Sequence, residues 1–340
     1  MTKNVEIEKW YSENEDLYKK LIEKCKSIIE DSINDKNITV NSISGRVKEK
    51  ESYCEKASKE KYKNPIKEIT DMAGIRIIAY VNSDVDRICK IIENEFDVDK
   101  ENSVNKGELL GIDRVGYKSV HYVVKMTEDR TKLTEYNKFK DIRFEIQIRT
   151  LLQHAWSEIE HDRNYKFSGV LPEDIKREFA LLSGTLELVD IHFENISKKI
   201  DNYSKEVAIK LGKNNLESLE LNSESIIQYL KQVFANEINN GILEPKFYGK
   251  DDVIINELTK FGIKNIKDLK NLMKFKFNYT KDFKTTFIGA LRDSMIKADY
   301  EKYFNEVYNN GWSFEESDIQ LYNENDIDLI KIIKKFNMYI

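Results

Sequence analysis

DIRFEIQIRT, Asp141–Thr150, alternates polar and apolar residues without a break from Asp141 to Arg149. Ile142, Phe144, Ile146 and Ile148 fall on one face of an extended chain, and Arg143, Glu145, Gln147 and Arg149 fall on the other. The pattern predicts a strand with one face in a core and one face free for chemistry. An exposed edge strand gives the same alternation, so the neighbouring sequence has to separate the two readings. The strand runs straight into a helical stretch, 151–164, carrying His154, Trp156, Glu160 and His161. Upstream, DMAGIRIIAYV (Asp71–Val81) reads as a buried β-branched strand with Asp71 just ahead of it. Two acidic groups on neighbouring strands are what a hard, oxygen-seeking cation such as magnesium requires.

Working outward, apolar spacing predicts a helix over 5–33, a polar helix over 47–63, and a helix opened by Ser83 as N-cap with Asp86 as its acidic partner. Residues 97–115 read as a polar, mobile loop. GYKSVHYVV (Gly116–Val124) supplies another strand, Ser119–Lys125, on which Ser119 and His121 share a face, with Tyr117 at its mouth where an aromatic ring can stack on a base. Strands interleaved with helices give an α+β or α/β domain over roughly 40–166.

The polar helix carries Arg46, Lys48, Ser52, Lys56 and Lys59 in the spacing R-x-K-x3-S-x3-K-x2-K, so that from Lys48 onward they share one helix face. Such a face can grip a polyphosphate. On spacing alone it is equally a solvated lysine face balanced by Glu49, Glu51, Glu55 and Glu60. No Gly-rich P-loop signature is present to serve as the phosphate cradle. The net charge of −5 provides no general basic field, so any polyanion site must be local. His154 and His161 lack the spacing of a zinc pair. The three cysteines are scattered, the N-terminus has no apolar signal segment, and no apolar run is long enough to span a bilayer. A cytoplasmic protein with reduced thiols is expected.

After Pro172, expected as the first residue of a helix, the pattern becomes all-helical. Ile175, Phe179, Leu182, Leu186, Val189, Phe193, Ile196, Ile200 and Tyr203 form a 3.5-residue seam that either docks on its own domain, the favoured reading, or joins copies of the chain. Residues 204–340 hold further amphipathic helices without a chemical signature.

Four blocks, GRVKEKESYCEK (Gly45–Lys56), ITDMAGIRII (Ile69–Ile78), GYKSVH (Gly116–His121) and FEIQIRT…HAWSEIEHDRNYK (Phe144–Lys166), together resemble the synthetase domain of the RelA/SpoT family, in that family's order. The resemblance implies an α+β fold, a mixed β-sheet flanked by helices and related to nucleotidyltransferases, over 1–170 with its N-terminal helices. A long helix at 171–203 and an all-α extension at 204–340, of regulatory or assembly role, would follow. With only four histidines and no histidine-aspartate motif ahead of residue 161, the family's hydrolase domain is not expected.

The implied activity is magnesium-dependent transfer of pyrophosphate from ATP to the 3′-hydroxyl of GTP or GDP, making the alarmones pppGpp and ppGpp. The alternatives are a toxin-like relative acting on the tRNA 3′ end or an adenine nucleotide, and an inactive nucleotide-sensing module. Carried over by motif, Arg46 and Arg76 would sandwich the adenine, and Lys48, Ser52 and Lys56 would hold the ATP phosphates. Asp71 and Glu145 would bind magnesium, with Glu145 also the base. Tyr117 would stack on the acceptor base, while Lys118, His121, Gln147 and Arg149 would position the acceptor and the transferred group. No membrane partner is implied. The sequence departs from the family where many small synthetases carry Pro-Lys-x-Asn before the Gly-Tyr: GIDRV (Gly111–Val115) stands there, which bears on acceptor recognition.

Overall fold

The computed structural model describes residues 3–105, 119–166, 171–309 and 311–338. Contacts divide the chain into two compact units, Met1–Lys198 and Lys199–Ile340.

The first unit is built on a mixed sheet. Its strands are β1 (Val40–Val47), β2 (Ala73–Ala79), β3 (Phe96–Val98), β4 (Val104–Asn105), β5 (Val120–Met126) and β6 (Phe144–Thr150). They lie in the order β1-β2-β6-β5-β3, with β4 also on β5; β2 and β6 run parallel and the other pairs antiparallel. The apolar face of β2 and β6 (Ile75, Ile77, Phe144, Ile146, Ile148) is sealed by α1 (Lys3–Asp35) and α4 (Asn82–Glu95), which contribute Leu21, Ile29, Ile88 and Ile92 to one core. Two short helices, α2 (Lys50–Ala57) and α3 (Pro65–Glu68), link β1 to β2. Gly45 lets α1 approach β1 closely, since a Cβ there would stand 2.2 Å from Ile22 Cγ2.

Several local expectations change. The helix expected over 47–63 shrinks to α2, because β1 pairs with β2 as far as Val47–Ala73 and Lys48 N donates to Met72 O, keeping the backbone extended. Arg46 therefore stands on a strand and Lys48 in the connection. Ser83 does not cap α4; the cap position is Val81, and Ser83 N donates instead to Glu194. The presumed loop after α4 holds β3 and β4. The strand read over Asp141–Thr150 begins at Phe144, and Asp141 takes a left-handed φ of 59° outside the extended range.

After α5 (Glu128–Thr131), β6 leads directly into α6 (Leu151–Lys166), and α7 (Glu173–Gly212) runs through the boundary between the units. Pro172 lies just before α7 and accepts a hydrogen bond from Lys176 N. Within the first unit α7 is attached mainly through polar groups. Thr150 Oγ1 donates to Asp190 at 2.8 Å, Ser83 N to Glu194 at 3.0 Å, and Trp156 Nε1 to the Phe179 carbonyl at 3.3 Å. The 3.5-residue seam is only partly used: Leu182, Phe193, Ile196 and Ile200 are each 50–60% exposed. Within the first unit the buried positions of α7 are Ser183, Asp190 and Glu194, which lie off the seam, while Ile175, Phe179, Leu186 and Val189 of the seam are half-buried.

The second unit packs α8 (Ser223–Val233), α9 (Ala235–Asn239), α10 (Asp251–Lys260), α11 (Ile266–Leu272), α12 (Phe287–Lys302), α13 (Glu316–Glu324) and α14 (Leu329–Phe336) around one core that Val207 and Leu211 of α7 join. A two-residue parallel pair, β7 (Leu243–Glu244) with β8 (Thr285–Thr286), is its only sheet among the described residues. Gly262 ends α10 with a φ of 97°, the left-handed turn that favours glycine. Two polar clusters lie inside. Arg292 grips Glu257 through Nε (2.9 Å) and Nη2 (2.6 Å), with Tyr303 also donating to Glu257. Asp293 accepts hydrogen bonds from Tyr322 (2.6 Å) and Tyr279 (2.9 Å). Among the described residues no helix is long and apolar enough to cross a membrane.

Candidate active site

Strand register brings the polar side chains together. Arg46 pairs with Gly74 and Gly74 with Glu145, while Ser44 pairs with Arg76, Arg76 with Gln147, and Gln147 with His121. Paired residues share a face of the sheet, so these form two adjacent rows on the side opposite the core. Gly74 has no side chain, and the first row is open between Arg46 and Glu145. A cleft of about 260 Å³ lies there, lined among others by Arg46, Asp71, Arg76, Glu145, Gln147 and Glu158.

Asp71 is the electrostatic centre of one end. Its Oδ2 accepts from Lys48 Nζ at 3.0 Å and from Lys56 Nζ at 2.7 Å. Burial disfavours the charged carboxylate, but the two ammonium groups outweigh it and hold Asp71 below the usual carboxylate range. The same pairing raises Lys56 against the opposing effect of its burial. The other oxygen, Asp71 Oδ1, is buried without a hydrogen-bond partner among the described residues.

Glu145 is held from the adjacent strand, β5. His121 Nδ1 lies 2.8 Å from Glu145 Oε1, and His121 Nε2 is buried without a partner among the described residues. Burial pushes the Glu145 carboxyl up, and His121 more than offsets it, so Glu145 stays below its ordinary value. Arg76 Nη1 bonds Glu158 Oε1 of α6 at 3.0 Å, and His154 Nδ1 lies 3.6 Å from the same oxygen. Burial, with Arg149 and Arg76 nearby, holds His154 below the usual histidine range.

The expected residues do not all meet in the cleft. Arg46, Asp71, Arg76, Glu145 and Gln147 line it, with Lys48 and Lys56 reaching Asp71. Ser52 is exposed on α2. His121 is engaged with Glu145. Arg149 is 2% exposed and donates to Gln147, so its guanidinium is a buried support. Tyr117 and Lys118, like GIDRV, lie outside the described residues. Sequence reading missed Glu158; its only signal is its place four residues after His154 in HAWSEIEH, one helical turn.

Asp71 and Glu145 suit a magnesium ion as partial ligands. Among the described residues no group of three or more His, Cys, Asp or Glu could hold a metal. The unpartnered Asp71 Oδ1 and the Glu145 carboxylate would offer oxygen ligands to such an ion, with water and phosphate oxygens supplying the others.

Cations, carboxylates and an open floor thus meet on one face of a mixed sheet. Residues 45–170 match the family model for the region found in RelA / SpoT proteins. The chain is 29% identical over 170 residues to the GTP pyrophosphokinase YjbM of Bacillus subtilis (strain 168), covering 49% of this chain and 76% of that one. It is 27% identical over 149 residues to the GTP pyrophosphokinase YwaC of the same organism, covering 44% and 65%. Among solved structures it is similar to small alarmone synthetase 1 from Bacillus subtilis, at 26% identity, a TM-score of 0.48, and coverage of 57% of this chain and 98% of that one.

Proposed function

We propose that the first unit transfers the β,γ-pyrophosphate of ATP to the ribose 3′-hydroxyl of GTP or GDP. The observation that carries this reading is the convergence of Asp71, Glu145, Arg46, Arg76, Lys48 and Lys56 on one cleft. The kinship with proteins named GTP pyrophosphokinases supplies the acceptor. The acceptor 3′-oxygen attacks the β-phosphorus, the bond from that phosphorus to the α,β-bridging oxygen breaks, and AMP leaves. Glu145, ionised and aligned by His121, takes the hydroxyl proton. Arg46 and Arg76 flank the adenine, and Lys48 and Lys56 hold the phosphates, with Ser52 assigned to them by motif alone. Asp71 and Glu145 would hold magnesium, which when bound would supply charge neutralisation for the transferred group. The remaining work of the chain is in-line positioning. Tyr117 and Lys118 are assigned to the acceptor by motif alone. Gln147, supported by Arg149, faces the transferred group. With these substrates the protein acts in the cytoplasm.

The test is to incubate pure protein and magnesium with ATP labelled in its β- or γ-phosphate, adding GTP, GDP, bulk tRNA or nothing. Label arriving on GTP or GDP supports the reading. Label only on tRNA or on adenine nucleotide would replace the acceptor, and no transfer by folded protein would overturn the activity.

The exposed half of the α7 seam supports association of copies of the chain through this helix. Light scattering of the wild type and of Phe193→Glu/Ile196→Glu would show a fall in mass if it does so, and an unchanged mass if it does not.

A further inference from the structure

We propose that Lys48 and Lys56 form a latch on Asp71 that keeps a free divalent cation out of the site until a polyphosphate draws the two ammonium groups away. The inference rests on the proposed donor site and adds an order of events to it. Both ammonium groups sit on the same oxygen, Asp71 Oδ2, at 3.0 and 2.7 Å. All three side chains are largely withdrawn from solvent, with between 19% and 29% of each exposed. Two cations on one carboxylate leave an excess positive charge at Asp71 itself, with Glu145 the other carboxylate lining the same cleft beside it. On the neighbouring helix Lys50 is paired with Glu8 of α1, while Lys48 and Lys56 both point to Asp71.

That excess has two consequences. A divalent ion approaching Asp71 alone meets two positive charges within hydrogen-bond distance of its ligand, in a setting where screening by water is reduced. A polyphosphate meets the opposite field. Lysine ammonium groups on flexible four-carbon stems can swing from the carboxylate to phosphate oxygens without moving the backbone. Asp71 Oδ2 is then released beside Oδ1, which already lacks a partner among the described residues. Ligand phosphate and Asp71 together become a cation site that neither provides alone, so metal and nucleotide enter as one binding event.

The experiment uses Mn²⁺ as the probe and reads free ion by its electron paramagnetic resonance signal, with the full chain and no nucleotide. The wild type is expected to leave the free Mn²⁺ signal almost unchanged. Lys48→Met/Lys56→Met should bind Mn²⁺ about tenfold or more tightly, a modest electrostatic change by the usual conversion. Adding Asp71→Asn to that variant should abolish the gain. Lys59→Met, which removes an exposed charge near the site without touching Asp71, should behave as wild type. Tight Mn²⁺ binding by the wild type alone would overturn the latch, as would a double variant that folds by circular dichroism and binds no better. Should the double variant fail to fold, Lys56→Met alone carries the same comparison. Titration of wild type with AMPCPP and Mn²⁺ tests the underlying donor site separately. Absence of nucleotide binding there would sink the donor-site reading, whatever the nucleotide-free comparison shows.

Discussion

His121 Nδ1 stands 2.8 Å from Glu145 Oε1, bridging adjacent strands on the cleft face of the sheet. An ionised carboxylate only accepts, so His121 donates, and its ring fixes which way the Glu145 carboxylate points. The motif resemblance assigns His121 to the acceptor nucleotide, whereas the geometry gives it a positioning role toward the base.

His121→Ala should therefore lower kcat by about 10- to 100-fold, the worth of a hydrogen bond to a charged group, while acceptor KM moves much less. His121→Gln, which retains a donor, should recover part of the loss. A change confined to acceptor KM would return His121 to the acceptor pocket.

Glu145→Gln preserves the shape of β6 and removes the carboxylate proposed as base and metal ligand. Turnover should fall by about 100-fold or more, with AMPCPP affinity largely retained. Asp71→Asn should also abolish turnover, with partial rescue at most by added magnesium. Near-normal rates in a folded Glu145→Gln protein would exclude it as the base.

Arg46→Ala and Arg76→Ala should each raise the ATP concentration needed, by the loss of about 0.5–2 kcal/mol of stacking and charge contact. Steady-state kinetics with each substrate varied in turn decides the matter. If only the acceptor dependence shifts, donor and acceptor ends of the cleft are exchanged.

Asp293 gives the second unit a pH dependence opposite to that of most carboxylates. Burial pushes it up from an ordinary 3.8 to about 7, against the lowering effect of the Tyr322 and Tyr279 hydroxyls. The folded state thus holds a proton that the unfolded state releases between these values. The stabilisation is complete below about pH 4 and is lost as pH rises through about 7. In urea titrations, wild-type stability relative to Asp293→Asn should fall over this window; parallel profiles would refute the shift.

Arg292→Met leaves Glu257 charged and buried without its partner, and should cost about 3–5 kcal/mol in urea unfolding. Glu257→Leu/Arg292→Met removes both charges and should regain most of that loss. If the single and double variants are equally unstable, the pair's packing against Trp312, whose ring lies 5.1 Å from the Arg292 guanidinium carbon, matters more than its charge.

The sequence by itself determined the alternating strands and the amphipathic helices that cover them, because these are written in local patterns, while the mixed sheet and the grouping of site residues were implied by the family resemblance. Period-two alternation around Glu145 and the apolar spacing of α1 and α4 are set by residues a few positions apart. The row Arg46–Gly74–Glu145 and the row Arg76–Gln147–His121 came only from tertiary structure, because register depends on which strands pair and in which direction. The same holds for the meeting of Lys48 and Lys56 on Asp71. Spacing placed the lysines on a helix, but the ladder to β2 kept Lys48 extended and carried it to a carboxylate from a different part of the chain. Glu158 on Arg76 and Arg149 beneath Gln147 are likewise products of packing between distant segments. On α7 the apolar seam was legible, yet which positions it buries was decided by the hydrogen-bonding groups of β6 and α4, whose Thr150 and Ser83 take Asp190 and Glu194 and leave part of the seam exposed.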